Sequence, residues 1–223
     1  EKEIYKILEQ NNLSFLDTSL SWHYHIFAGL KSYSETNSIA INNILEIGTH
    51  NGEFTNFISS LFSNANIYTI DLPKSDDQFI STYNRKAKDQ LKEFILKRNS
   101  NLEAKNIKFI EINSTKLINY FKDIKFDLIW IDGDHHDPQV TVDILNSLNL
   151  IKREGIICID DVVKDKNFKK NKYESNESFS TLDLLERNKI LKNLYLNKRI
   201  RKSNYKTEKY IAISKFHDQY YSF

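Results

Sequence analysis

Between Ile131 and Pro138 the chain reads Asp132-Gly133-Asp134-His135-His136-Asp137, three carboxylates and two imidazoles in six residues. Charges crowded this closely need compensation, from water or from a bound cation. The bland alternative is a solvated polar loop. A second acidic pair, Asp160-Asp161, ends an apolar run further along. Upstream, the turn Gly48-Thr49-His50-Asn51-Gly52 is followed by Asp71, 23 residues after Gly48. Glycine lets a backbone turn sharply and approach a ligand closely. An acid about 20 residues beyond such a turn suits hydrogen bonds to a ribose diol. The residues thus divide into a group fit to hold a nucleoside and a group fit to manage charge.

The elements that would position them follow from periodicity. Phe126–Ile131, five apolar residues around a lone Asp127, reads as a buried strand of a parallel sheet. The charged cluster then lies at the strand's carboxyl end, where open α/β sheets bind ligands. Asn43–Ile47 and Asn66–Ile70 read as strands, with a helix of apolar spacing from Phe54 to Phe62 between them. Together these form a strand–glycine turn–helix–strand–acid unit, the core of a nucleoside-binding Rossmann half. A helix around Leu91–Leu96 precedes a third strand over Asn106–Ile112, which ends at Asn113-Ser114-Thr115. Leu117–Phe121 and Gln139–Leu150 have helical spacing, and Gly155–Ile159 is a fifth strand. Val162–Ser180, rich in Lys, Asn and Ser, reads as a mobile loop before a helix over Thr181–Leu191. Leu194–Ile200 and Lys209–Ser214 read as closing strands, with Lys198, Arg199, Arg201, Lys202 and Lys206 gathered around their hairpin. At the start, Glu1–Gln10 has amphipathic helical spacing and Ser32–Ser38 looks like a polar linker. The segment Trp22-His23-Tyr24-His25-Ile26-Phe27 has two readings: a helix packing Trp22, Ile26 and Phe27 on the sheet, or a flap with His23 or His25 reaching a ligand.

Composition narrows the function classes. The 223 residues are 40% hydrophobic and 28% charged, in the range of a soluble globular domain rather than a disordered chain. With 32 basic against 30 acidic residues the net charge is +2, which provides no global field for nucleic acid or a membrane surface. No apolar run approaches the roughly 18 to 20 residues that span a bilayer, and no signal peptide is visible. Cys158 is the only cysteine and cannot form a disulfide within the chain, so a cytoplasmic setting is expected.

Taken together, Ile44-Leu45-Glu46-Ile47-Gly48-Thr49-His50-Asn51-Gly52, then Asp71, then Ile131-Asp132-Gly133-Asp134-His135, resembles the class I S-adenosylmethionine-dependent methyltransferases. The resemblance covers roughly Ile44–Val162. It implies an α/β fold, Rossmann-like and doubly wound, with a mostly parallel seven-stranded sheet and helices on both faces. One domain over 1–223 is expected, with an N-terminal helical flap (1–40), a cofactor-binding core (41–162) and a mobile loop with closing strands (163–223). Carried over, the resemblance assigns S-adenosylmethionine to Glu46, Gly48, Thr49, His50, Asn51 and Gly52 for its methionine part. Asp71 takes the ribose, Asn113 and Ser114 the adenine side, and Asp132 borders the same site. The spacing of glycines departs from the G-x-G-x-x-G of nicotinamide enzymes, which weakens that reading.

Within the family, IDGDHHDP followed by EGIICIDDV is similar to metal-dependent small-molecule O-methyltransferases, including catechol-type and macrolide-sugar enzymes. These place one acid after the fourth strand and an adjacent polar pair after the fifth. Here the positions are Asp132, then Asp160 and Asp161, beginning 28 residues on. Oxygen ligands favour a hard ion such as Mg2+. The likeness to macrolide-sugar enzymes makes His135 the candidate general base, for an acceptor hydroxyl whose pKa the ion would lower, whereas catechol-type enzymes more often use a nearby lysine. A sugar or similar polyol is the expected acceptor, and the basic hairpin would suit a nucleotide-linked or phosphorylated sugar. Competing readings are a metal-independent methyltransferase, a nicotinamide-dependent oxidoreductase and a nucleoside-binding module without catalysis. Neither nucleic acid nor membrane is an expected partner, and a homo-oligomer is left open.

Overall fold

The computed structural model describes residues 6–7, 9–10, 22–82, 87–172, 174–198 and 207–218. Strands β1 (Asn43–Ile47), β2 (Asn66–Asp71), β3 (Ile107–Glu111), β4 (Phe126–Ile131) and β5 (Ile151–Val162) are mutually parallel. Two more, β6 (Leu191–Asn197) and β7 (Tyr210–Phe216), form an antiparallel edge, with β7 against β5. The seven strands make one sheet in the order β3-β2-β1-β4-β5-β7-β6, as expected from the sequence. The order reverses between β1 and β4, which creates a crevice at their carboxyl ends.

Alternation along the strands builds a core on each face of the sheet, because successive side chains point to opposite sides. Leu128 and Trp130 of β4, with Ile44 of β1 and Cys158 of β5, face helices α1 (His23–Thr36) and α2 (Glu53–Leu61) through Tyr24, Phe27, Phe57 and Ile58. Ile129 and Ile131, with Leu45 and Ile47, meet the opposite helices α5 (Leu117–Tyr120), α6 (Gln139–Leu150) and α7 (Glu177–Arg187). Two further helices, α3 (Asp77–Ser81) and α4 (Lys88–Asn101), lie between β2 and β3 in the chain. All six residues of β4 are buried, and full burial of each large apolar side chain is worth about 1.5–3 kcal/mol, which fixes the central strand firmly. Its lone acid is structural: Asp127 Oδ2 accepts from the backbone N–H of Asn42 and of Asn43, both at 2.9 Å, and Oδ1 pairs with Lys152 at 2.7 Å.

Several boundaries differ from the sequence reading. The polar stretch Ser32–Ser38 is not a linker, since α1 continues to Thr36 and buries Leu30 and Ser34 on the same side as Tyr24 and Phe27. The four positions recur at three- and four-residue steps, a stripe hidden by its polar neighbours. Helix α7 begins at Glu177, four residues before the expected start, and β5 runs on through Asp160-Asp161 to Val162. Most of the expected first helix, residues 11–21 and hairpin residues 199–206 lie outside the described residues. Among the described residues no helix is long and apolar enough to cross a membrane.

Candidate active site

The glycine turn closes the nucleoside side of the crevice. Gly48, at φ 105°, and Thr49 both donate backbone N–H bonds to Ile70 O, at 3.0 and 3.1 Å. A Cβ on Gly48 would stand 2.3 Å from the backbone oxygen of Asp132, so β1 and β4 can meet here only through a glycine. The contact also sets the expected cofactor turn directly against the charged cluster. His50, at φ 49°, donates its N–H to Asp71 Oδ2 at 3.0 Å, and Leu72 donates to Asp71 Oδ1 at 2.8 Å. Asp71 is thereby fixed at the end of β2, the location the sequence assigned to it.

Other residues of the turn support it from behind. Thr55 and Thr69 donate their hydroxyls to Glu46 Oε2 at 2.5 and 2.6 Å, and Thr49 Oγ1 lies 2.6 Å from Thr69 Oγ1. Burial pushes the Glu46 carboxyl up to about 8, against the two threonine hydrogen bonds. Asn51 Oδ1 accepts from Glu53 N at 3.1 Å, and its carbonyl accepts from Asn101 at 2.8 Å. Gly52 adopts φ 76° where the chain enters α2. Where the resemblance expects adenine, Asn113 Oδ1 accepts from Thr115 N at 3.0 Å and shapes the turn after β3. Ser114 Oγ accepts from Gln139 Nε2 at 2.6 Å, and that amide also donates to Asp143 Oδ1 at 2.9 Å.

Asp143 had no place in the sequence reading, where it is one polar residue within an amphipathic helix. It is 1% exposed, and its Oδ2 has no hydrogen-bond partner among the described residues. That oxygen would stand 3.7 Å from a Cβ on Gly133. Burial pushes its carboxyl up to about 6, against the hydrogen bonds of Ser114 and Gln139. A buried acceptor without a donor, placed between the turns after β3 and β4, is costly unless a ligand supplies the donor.

The charged rim assembles from five separate segments. Asp132 ends β4, and His135 Nε2 lies 3.6 Å from its Oδ1. Nδ1 of His135 is buried without a hydrogen-bond partner among the described residues, so Nε2 is the ring nitrogen turned to Asp132. Burial works to lower the His135 pKa, but Asp132 beside it, then Asp161 and Asp160, outweigh burial and raise it. Adjacent strand residues normally point to opposite faces, yet Asp160 and Asp161 converge. Pairing of β5 with β7 is irregular between Ile159 and Val162, and Asp161 takes φ 51°, so a bulge turns the second carboxylate toward the first.

These two acids are occupied by lysines. Lys198 Nζ, from the end of β6, lies 2.5 Å from both Asp160 Oδ2 and Asp161 Oδ1. Lys209, just before β7, reaches Asp161 Oδ2 at 2.6 Å. Burial opposes ionisation of Asp160, but Lys198 and then His23 hold it well below the usual carboxylate range. His23 Nε2 is 3.1 Å from Asp160 Oδ2, so the segment combines parts of both expectations: Phe27 packs in the core while Trp22 stays exposed, and His23 reaches the acid at the rim. His25 instead meets Trp22 edge to face at 4.7 Å.

The divalent ion implied by the resemblance was to be held by Asp132, Asp160 and Asp161. The fold brings the three together, but the donor set as arranged does not fit such an ion, because Asp160 and Asp161 already share one ammonium and Asp161 meets a second. Among the described residues no group of three or more His, Cys, Asp or Glu side chains is arranged to hold a metal. Of the other charges, His136 contacts Asp134 at 3.1 Å and Asn171 O at 2.7 Å, and Asp137 accepts from Thr141 at 2.6 Å. In the loop after β5, Lys166 pairs with Asp183 at 3.4 Å and Lys170 with Glu177 at 2.6 Å.

A doubly wound sheet with this strand order and a glycine turn at its switch point defines the class I methyltransferase fold. The family model described as "Methyltransferase domain" matches residues 45–162, and the chain belongs to that family. Among solved structures it is similar to the O-methyltransferase TomG from Streptomyces achromogenes, involved in tomaymycin synthesis and solved with SAM. Identity there is 13%, over 97% of this chain and 90% of that one, with a TM-score of 0.59. An O-methyltransferase from Bacillus cereus, solved with SAH, is 16% identical over 96% and 90% of the two chains, at 0.57. An rRNA methylase from Streptococcus thermophilus reaches 0.55 at 12% identity, over 86% and 95%. Neighbours so distant establish the fold alone. No curated protein sequence matches the chain.

Proposed function

We propose that the protein is an S-adenosylmethionine-dependent O-methyltransferase whose acceptor is a hydroxyl of a sugar or similar small polyol, with His135 as general base. One observation supports this reading above the others: the glycine turn abuts Asp132, and His135 Nε2 lies 3.6 Å from Oδ1 of the same residue. Asp71 takes the ribose hydroxyls, and Asp143 offers its unpartnered Oδ2 to the exocyclic amine of adenine. The chemistry is an in-line displacement. The S–CH3 bond breaks with its electron pair remaining on sulfur, an O–CH3 bond forms, and the acceptor's proton passes to Nε2 of His135. Asp132, 3.6 Å from Nε2, stabilises the resulting imidazolium. The carboxylates that would hold a divalent ion are engaged by Lys198 and Lys209.

His135→Ala is expected to retain affinity for S-adenosylhomocysteine, measured by calorimetry, and to lose about 100- to 10,000-fold in turnover on an accepted polyol. Near-normal turnover in that variant removes His135 from the mechanism. Failure of the wild-type protein to bind S-adenosylhomocysteine removes the methyltransferase reading altogether.

A further inference from the structure

The three acids at the rim enclose a position that is already filled by the chain itself. Lys198 has a side chain only 12% exposed, and Lys209 one only 7% exposed, in a residue type that is almost never buried without a partner. The backbone clamps the first of them. Lys198 N donates to Lys209 O at 2.9 Å, and Lys198 O accepts from Trp22 N at 2.8 Å, which ties the edge hairpin to the start of α1. These bonds fix where the side chain starts, and its ammonium leaves the site only by giving up Asp160 and Asp161. Asp132, Asp160, Asp161 and Glu174, the last 3.5 Å from Lys209, stand against two ammonium groups, before the histidines are counted. A divalent ion between Asp160 and Asp161 would be pressed against both ammonium groups at the end of β5. Asp160 Oδ1, meanwhile, is buried with no hydrogen-bond partner among the described residues.

From this geometry we infer that Lys198 is a built-in cation standing where related enzymes would place a divalent ion, and that it binds the acceptor oxygen directly. An ammonium has three N–H donors, of which Asp160 and Asp161 take two. The third is available to the acceptor oxygen while that oxygen gives its proton to His135 and takes the methyl group. Asp160 and Asp161 keep Lys198 charged and aimed, so they act through it and are positioning residues. The inference rests on the methyl-transfer reading above for the identity of the acceptor, but the occupied cation seat can be tested without one.

The probe is Mn2+, titrated into the full-length protein with and without S-adenosylhomocysteine and followed by electron paramagnetic resonance. The wild-type protein is expected to bind no stoichiometric Mn2+ below about 1 mM, the weak end of protein sites for hard cations. Lys198→Met removes the charge at similar volume and should create a Mn2+ site at least about 10-fold tighter. Lys198→Gln serves as a second variant should the first not fold. The inference is overturned if the wild-type protein binds one Mn2+ per chain below about 1 mM. It is equally overturned if a folded variant that still binds S-adenosylhomocysteine gains no Mn2+ affinity. If S-adenosylhomocysteine fails to bind the wild-type protein, the methyltransferase reading falls and the Mn2+ titration alone decides the cation seat.

Discussion

The two sides of the crevice are built on different principles. The nucleoside side, from Glu46 to Asp71, comes from one continuous stretch and depends on the main chain: a glycine pressed against β4, N–H groups aimed at Ile70 O and Asp71, and a carboxyl locked beneath by threonines. The opposite side comes from α1, β4, β5, β6 and the approach to β7, and depends on charges that balance only once the sheet is complete. Backbone sites are fixed by local dihedrals, whereas charge clusters are fixed by whichever partners the fold delivers. The turn should therefore respond to changes in shape and the rim to changes in charge, with one exception in the turn.

That exception carries the largest expected effect. Glu46 belongs to the turn but is titratable, and its carboxyl is pushed up from 4.5 to about 8. Its proton is therefore kept in the folded state over a window in which the unfolded chain has lost it. Stability from this group is complete below about 4.5, falls as pH rises, and is lost above about 8, with a ceiling of about 4 to 5 kcal/mol by linkage. Glu46→Gln has no proton to lose and keeps an oxygen for Thr55 and Thr69. The prediction is that its melting temperature exceeds that of the wild-type protein at pH 8 while the two nearly coincide at pH 4.5. Parallel melting curves across that range would show that the carboxyl is not held neutral.

A change in shape comes next. Gly48→Ala places a methyl group 2.3 Å from a backbone oxygen at φ 105°, and backbone on both sides leaves little room to relax. A loss of about 3 kcal/mol is expected, or about 6–12 °C in melting temperature for a domain of this size, with weakened S-adenosylhomocysteine binding. At Gly52 the corresponding methyl group meets the Leu102 side chain at 3.1 Å, which can yield. Gly52→Ala should therefore cost only about 1 kcal/mol, mostly from its φ of 76°. Equal losses at the two glycines, in side-by-side thermal melts, would contradict a turn built on contact between β1 and β4.

The same contrast explains what could be read from the sequence. Gly48, Asp71 and Asp132 were legible because each ends a strand whose apolar pattern is visible, and strand ends in a parallel sheet share one rim. Asp160 and Asp161 were legible as a pair, but their partners were not. Lys198 looked like one of several basic residues around an exposed hairpin, and only the antiparallel pairing of β7 with β5 and β6 carries it inward to Asp160. Lys209 was hidden for the same reason. His23 was visible as a histidine that could reach a ligand, but not as a partner of Asp160, because 137 residues separate them. The bulge that turns Asp161 leaves no mark on an Asp-Asp dipeptide. Local sequence reports periodicity and turn chemistry well, and long-range charge pairing poorly.

Asp143 offers the smallest and most selective test, because it lies on the nucleoside side yet is a side-chain feature like those of the rim. Its helix shows ordinary amphipathic spacing, so nothing in the sequence separated it from a solvated acid. Fully buried, with Gln139 on one oxygen and no donor on the other among the described residues, it should read the amine of adenine rather than its shape. The wild-type protein is then expected to bind S-adenosylhomocysteine about 10-fold more tightly than S-inosylhomocysteine, in which an oxygen replaces that amine, as fits one hydrogen bond to a charged acceptor. Asp143→Asn should lose most of this preference and leave the melting temperature within a few degrees, since Gln139 and Ser114 still hold the side chain in place. Calorimetry with both ligands on both proteins measures the difference directly. An unchanged preference in a folded Asp143→Asn protein would place the adenine elsewhere, and the unsatisfied oxygen would then be only a cost of packing α6 against the sheet.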